Sequence, residues 1–288
     1  MLDRETLGKI RRIQIRTKAI LESGIGGAYH AVFKGRGMEF AEVREYAAGD
    51  DVRTIDWNVT ARMGAPYVKK FVEERDLTLL LVVDVSGSQE FGSQYVLKRD
   101  YAAELAAVLA FSAVANHDRV GAVLFSDRVE GYVPPARGRD HALRIVRDLL
   151  AREPRGRGTD LAEALRFARR VLRRRGIVAV LSDFQAEGYE KALGALRRRH
   201  DVVALHLQDP REGDVPEAGV VAFVDPETGQ RVVADTARPE VRMALRAPGL
   251  EAARAVFKKT RVDVLALATG DLYERPLSAF FQARERRR

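Results

Sequence analysis

Five side chains of this 288-residue chain carry oxygen where oxygen could do chemistry: Asp84, Ser86, Ser88, Thr159 and Asp183. The first three form an acid-x-hydroxyl-x-hydroxyl run, Asp84-Val-Ser86-Gly-Ser88. Thr159 follows a glycine loop, Arg155-Gly-Arg-Gly158, and Asp183 closes the apolar run Ile177–Leu181 through Ser182. An all-oxygen set without sulfur or imidazole suits a hard divalent cation. Mg2+ fits best, because it prefers octahedral oxygen ligands and keeps some of its water; Mn2+ or Ca2+ could substitute. A competing reading is plain capping, since acid-hydroxyl turns commonly start helices. An aspartyl nucleophile at Asp84 is a third, and would make the chain a metal-dependent phosphohydrolase.

The elements that must position these groups follow from the hydropathy pattern. Leu77–Asp84 is apolar on both faces and reads as a central parallel strand, with Asp84 at its carboxyl end. Open α/β sheets place their ligand sites at that end. A helix over 96–115, a strand over 120–125, an edge strand over 129–133 ended by Pro134-Pro135 and a helix over 141–150 come next. Thr159-Asp160 caps a helix running through Arg174, and 177–181 is a third buried strand. A helix over 188–199 and a strand over 202–207 complete a further repeat. A β-hairpin insertion near 220–234, with Asp225-Pro-Glu-Thr-Gly229 at its turn, precedes helices over 239–246 and 249–260, a strand over 262–267 and a final helix over 272–284. Strands alternating with helices predict an α/β fold, a doubly wound, mostly parallel sheet. If the strands 77–84 and 177–181 are neighbours, all five oxygen-bearing residues converge on one edge.

Residues 1–76 read as an N-terminal appendage to a domain spanning 77–288. A helical pattern over 3–22 is broken by Ser23-Gly-Ile-Gly-Gly27, and short strands and turns suit the stretch that follows. The single tryptophan, Trp57, stands among Arg44, Arg53, Arg62, Asp50, Asp51 and Asp56. We read these as an ion-pair lattice docking the segment on the main domain, in preference to a binding site.

Composition bounds the rest. Hydrophobic residues at 46% and charged residues at 31% are those of a globular protein, and no run reaches the ~20 apolar residues of a membrane helix. Zero cysteines exclude disulfides, thiolate metal sites and a cysteine nucleophile, and with the polar start they point to the cytoplasm. The net charge of +8 comes mainly from 40 arginines, twelve of them in local runs at 169–170, 173–175, 197–199 and 284–288. The first three runs close helical patterns, where cations suit the helix dipole, and no aromatic residues interleave them. Solvated helix ends are favoured over a nucleic-acid surface.

Asp84-x-Ser86-x-Ser88, Thr159 and Asp183 are similar, position for position, to the metal-ion-dependent adhesion site of von Willebrand factor A-like domains. The resemblance implies the same Rossmann-type α/β sheet. It implies that Ser86, Ser88 and Thr159 bind the metal directly, and that Asp84 and Asp183 hold it mainly through water. Neutral hydroxyls leave the cation's charge poorly compensated, so an open position attracts an outside carboxylate. Gly37-x-Glu39-Phe40, Arg44-x-Tyr46-x-x-Gly49-Asp50-Asp51-x-Arg53-x-Ile55-Asp56-Trp57, Ala61-Arg62 and Val68-Lys-x-Phe71-x-Glu73-Glu74 further resemble domain-of-unknown-function family fifty-eight. Its members carry such a domain and are associated with MoxR-type AAA+ ATPases. The expectation is a non-enzymatic, Mg2+-dependent protein-interaction module, an adaptor for such an ATPase whose client offers a carboxylate. Ser86 stands where a phosphatase of the haloacid dehalogenase type would want a second acid. No lysine of the usual kind is evident near Asp183, and the five histidines occur singly.

Overall fold

The computed structural model describes residues 4–20, 38–73, 77–93, 96–156 and 158–287. The Ser23–Gly27 break and the signature residues Gly37 and Glu74 lie outside them. The chain divides into two compact units, one comprising residues 1–32 and 78–288 and the other residues 33–77.

The larger unit opens with α1 (Arg4–Ile20). In the smaller unit, β1 (Met38–Glu45) pairs antiparallel with β2 (Tyr67–Glu73), and α2 (Trp57–Met63) lies between them in sequence. The acids around Trp57 are spent locally. Asp56 caps α2, accepting from Asn58 and Val59 N–H, and pairs with Lys69 at 3.2 Å. Asp51 caps the short turn Val52–Thr54, and Asp50 takes Arg44 in two hydrogen bonds of 2.7 and 2.8 Å. Trp57 itself is 70% exposed, so these pairs do not enclose it.

The larger unit continues with β3 (Thr78–Asp84), α3 (Lys98–Ala115), β4 (Arg119–Phe125), β5 (Val129–Ala136), α4 (Arg139–Ala151) and α5 (Leu161–Val171). Then come β6 (Ile177–Ser182), α6 (Glu190–Arg199), β7 (Asp201–Gln208) and the single turn α7 (Pro210–Gly213). The hairpin β8 (Val220–Val224) and β9 (Arg231–Asp235), α8 (Pro239–Leu245), α9 (Gly249–Thr260), β10 (Asp263–Ala268) and α10 (Glu274–Arg286) complete it. Six strands form one sheet in the order β10-β7-β6-β3-β4-β5, all parallel except β5. This is the doubly wound, mostly parallel α/β sheet expected of a von Willebrand factor A-like, Rossmann-type domain.

Leu79 to Val83 are all essentially inaccessible, because helices cover both faces of the sheet at β3. Ala102, Ala103, Ala106, Ala107, Ala110 and Ala113 let α3 lie close against the strands, and the helix is buried nearly all round. Part of its outer side is covered by α1, which buries Ile13, Thr17 and Ile20. Arg16 reaches Glu104 at 2.9 Å and Glu274 at 3.3 Å, and Lys9 reaches Asp100 at 2.9 Å. The first helix therefore belongs to the larger unit. The smaller unit is 33–77, where the sequence reading drew a single boundary at residue 76. The edge strand β5 also runs on through Pro134-Pro135 to Ala136, which an edge tolerates because no further strand needs the N–H groups that the prolines lack. Among the described residues, no helix is long and apolar enough to cross a membrane.

Candidate functional site

The sheet order puts β6 directly beside β3, in register from Leu79 opposite Ile177 to Val83 opposite Leu181. The connection after β3 runs to β4 on one side and the connection after β6 runs to β7 on the other, so the crevice between the carboxyl ends of β3 and β6 is a topological switch point. Asp84 and Asp183 meet there. Asp84 Oδ1 accepts from the Ser86 N–H at 3.0 Å and Oδ2 from the Ser182 hydroxyl at 2.7 Å. A short turn over Gly87–Glu90 then brings the next hydroxyls round. Ser86 Oγ lies 3.0 Å from Ser88 Oγ, and Ser88 Oγ donates to Asp183 Oδ2 at 3.1 Å. After Asp183 the backbone enters the left-handed region at Phe184, φ 54°. Packing of that ring against Tyr189, His206 and Phe257 sustains the unusual conformation.

The group is buried and charged. Burial, with Asp183 nearby, pushes the Asp84 carboxyl up to about 7. A cation bound here would reverse that, since it favours the ionised form. Lys98, at the start of α3, is fully buried, with Nζ 2.9 Å from Asp183 Oδ2 and 2.5 Å from Glu212 Oε1. Burial alone would lower its pKa, but the two carboxylates outweigh that and hold it above the ordinary value. The sequence reading placed no lysine near Asp183, and this is corrected. Eighty-five positions separate the two residues in the chain, and only the α3–sheet packing joins them. Gln89 Nε2 donates to both Ser88 Oγ and Asp183 Oδ2, while its Oε1 is buried without a hydrogen-bond partner.

Thr159 arrives on a different loop. Glu130 Oε1 accepts from Arg155 N–H, Gly156 N–H and the Ser126 hydroxyl, and Asp160 N–H donates to the Ser126 carbonyl. These bonds pin the glycine loop to the end of β4. Asp160 caps α5 by accepting from Glu163 N–H, and the Thr159 hydroxyl donates to Glu227 Oε1 at 2.7 Å. Glu227 belongs to the tip of the β8–β9 hairpin. The tip also lies on Gly87, where a Cβ would stand 2.4 Å from the Pro226 carbonyl oxygen.

Hydrogen bonds thus link Asp84, Ser86, Ser88, Asp183 and Ser182, and Thr159 is joined to Glu227. Ser182, Lys98, Gln89, Glu212 and Glu227 were not foreseen as site residues. Ser182 had a signal in its place at the end of a buried strand, and Glu227 in the turn sequence Asp225-Pro-Glu-Thr-Gly229. The donors fit a small hard cation. Adjacent ligands of an octahedral Mg2+, bonded at about 2.0–2.1 Å, lie about 3 Å apart. The Ser86–Ser88 and Ser88–Asp183 oxygens have that separation, which is also the length of the hydrogen bonds that join them here. Among the described residues, no group of three or more histidines and carboxylates gathers at metal-binding distance, so a cation here would depend on hydroxyls as well as acids.

The profile of the family described as "Protein of unknown function DUF58" matches residues 42–255. Uncharacterized protein Rv1480 of Mycobacterium tuberculosis (strain ATCC 25618 / H37Rv) is 35% identical over 230 residues, 79% of this chain and 73% of that protein. The crystal structure of an aerotolerance-related membrane protein from Bacteroides fragilis NCTC 9343 is similar with a TM-score of 0.52 and 17% identity. It covers 73% of this chain and 99% of that one, a likeness of fold. The von Willebrand factor type A structure from Catenulispora acidiphila aligns over 76% of this chain and 43% of that one, with 12% identity and a TM-score of 0.41.

Proposed function

The chain belongs to the family of proteins of unknown function DUF58, and from that premise we propose that it is a Mg2+-dependent protein-interaction module. Asp84, Ser86, Ser88, Thr159 and Asp183 would hold the cation, which supplies an electrophilic point for a partner's carboxylate. The observation that carries the reading is the spacing of Ser86, Ser88 and Asp183 oxygens at a switch point of the sheet. Mg2+ is the preferred ion because the donors are hard and the hydroxyls leave most of its charge uncompensated. By the family resemblance, the partner is a MoxR-type AAA+ ATPase, and the chain is its adaptor toward a client protein in assembly or maturation.

The reading is non-enzymatic. Lys98, the lysine beside Asp183, would favour phosphoryl chemistry, yet it is inaccessible and tied to Asp183 and Glu212. An ammonium held in this way neutralises acids of the chain and does not reach a phosphate. Recovery of the ATPase is to be compared between wild type and Asp84→Ala, each with and without chelator. The proposal expects strong recovery only for wild type with Mg2+, and equal recovery in all four arms refutes metal-dependent recognition.

A further inference from the structure

Glu227 is placed as an acidic ligand would be. Its carboxylate takes the Thr159 hydroxyl at 2.7 Å, and the Pro226 carbonyl beside it rests on Gly87, between the two serines. The hairpin tip therefore touches both loops of the site at once. The tip is also shaped to present this side chain. Asp225 accepts from Glu227 N–H at 2.9 Å and from the Thr228 hydroxyl at 2.6 Å, and Gly229 takes a positive φ of 72° and closes the turn on the Asp225 carbonyl. The hairpin behind the tip is held less firmly. It is a two-stranded ribbon outside the main sheet, a form only marginally stable by itself, and Val220, Val224, Val232 and Val233 are exposed. At its base the buried Thr236 hydroxyl bonds Ala218 N–H and the Gly219 carbonyl, and Gly219 has a positive φ of 68°.

We propose that Glu227 is a ligand of the cation in the resting chain, so that the hairpin fills from within the position an outside carboxylate would take. The inference rests on the metal-binding reading above. Binding of an acidic partner then requires the β8–β9 tip to leave, and the base at Gly219 and Thr236 is where the ribbon would turn. The chain carries its own competitor.

The test uses Mn2+ as the probe, titrated into the full chain by electron paramagnetic resonance, with wild type, Glu227→Gln and Asp84→Asn. Backbone hydrogen exchange over 220–235 is followed in parallel. The proposal expects Asp84→Asn to lose binding and Glu227→Gln to bind at least about tenfold more weakly, the order of loss seen when groups around a metal are removed. It also expects Mn2+ to slow exchange in the hairpin of wild type and not of Glu227→Gln. Added acetate should restore Mn2+ affinity to Glu227→Gln and leave wild type unchanged. Equal Mn2+ affinity in wild type and Glu227→Gln, with Asp84→Asn defective, overturns this inference and leaves the metal site standing. Absence of Mn2+ binding in wild type overturns both. Unchanged exchange in β3 and β6 shows that the glutamine variant is folded.

Discussion

At Lys98 an ammonium is taken wholly out of water and held between Asp183 and Glu212, at 2.9 and 2.5 Å. Such a pair is costly to form, and its larger consequence appears when one partner is removed, because the other charges stay buried without compensation. Lys98→Met should therefore destabilise the protein by about 3–5 kcal/mol, read as a lowered urea midpoint with unchanged slope. A substitution that left the midpoint in place would show that solvent already compensates these acids. The same residue shows where sequence reading stops. Asp84, Ser86 and Ser88 are neighbours in the chain and announce one another by spacing. Lys98, Glu212 and Glu227 do not, since Lys98 and Glu212 are 114 positions apart and Thr159 and Glu227 are 68. Their meeting depends on packing that no local pattern encodes.

Among the elements, the buried strands were the most legible, because Leu77–Asp84, Val120–Phe125 and Ile177–Leu181 are apolar on both faces and only a covered parallel sheet accepts that. The helices between them were legible from their period and their ends. Two of the three arginine runs expected at helix ends lie there: Arg169 and Arg170 close α5, and Arg197, Arg198 and Arg199 close α6, whereas Arg173–Arg175 follow α5, which stops at Val171, short of the expected Arg174. The tail differs, because Arg284 is buried in α10 and bridges Asp201 and Asp263 at 2.8 Å each. The placement of α1 was not legible, since its partner Glu274 is 258 positions away. The end of α6 carries a pH effect. His200 is buried there with neither ring nitrogen bonded to a partner, and burial with Arg199, Arg169 and Arg175 nearby pulls its pKa from 6.5 to about 4. The folded chain keeps this ring neutral while the unfolded chain protonates it, so its effect is nil above pH 6.5. Stability falls as pH drops from 6.5 toward 4. His200→Leu should lose less stability than wild type over that window, measured as the difference in urea midpoints, and identical losses would contradict the assignment.

For the whole molecule, the doubly wound sheet explains where the candidate site lies. Reversal of strand order between β3 and β6 opens a crevice, the neighbouring ends of the two strands bring two acids to it, and the loop between α4 and α5 meets the β8–β9 tip through Thr159 and Glu227. Binding at such a site couples to the stability of the entire larger unit, because a ligand held only by the folded state adds RT ln(1 + [L]/Kd). Thermal unfolding in rising Mg2+ tests the central claim most directly, with wild type beside Asp84→Asn. At about one hundred times the dissociation constant, wild type should gain about 2.7 kcal/mol and a correspondingly higher Tm, while the variant stays at its metal-free value. A wild-type Tm indifferent to Mg2+, or an equal rise in Asp84→Asn, would contradict a cation held by Asp84 and its neighbouring hydroxyls.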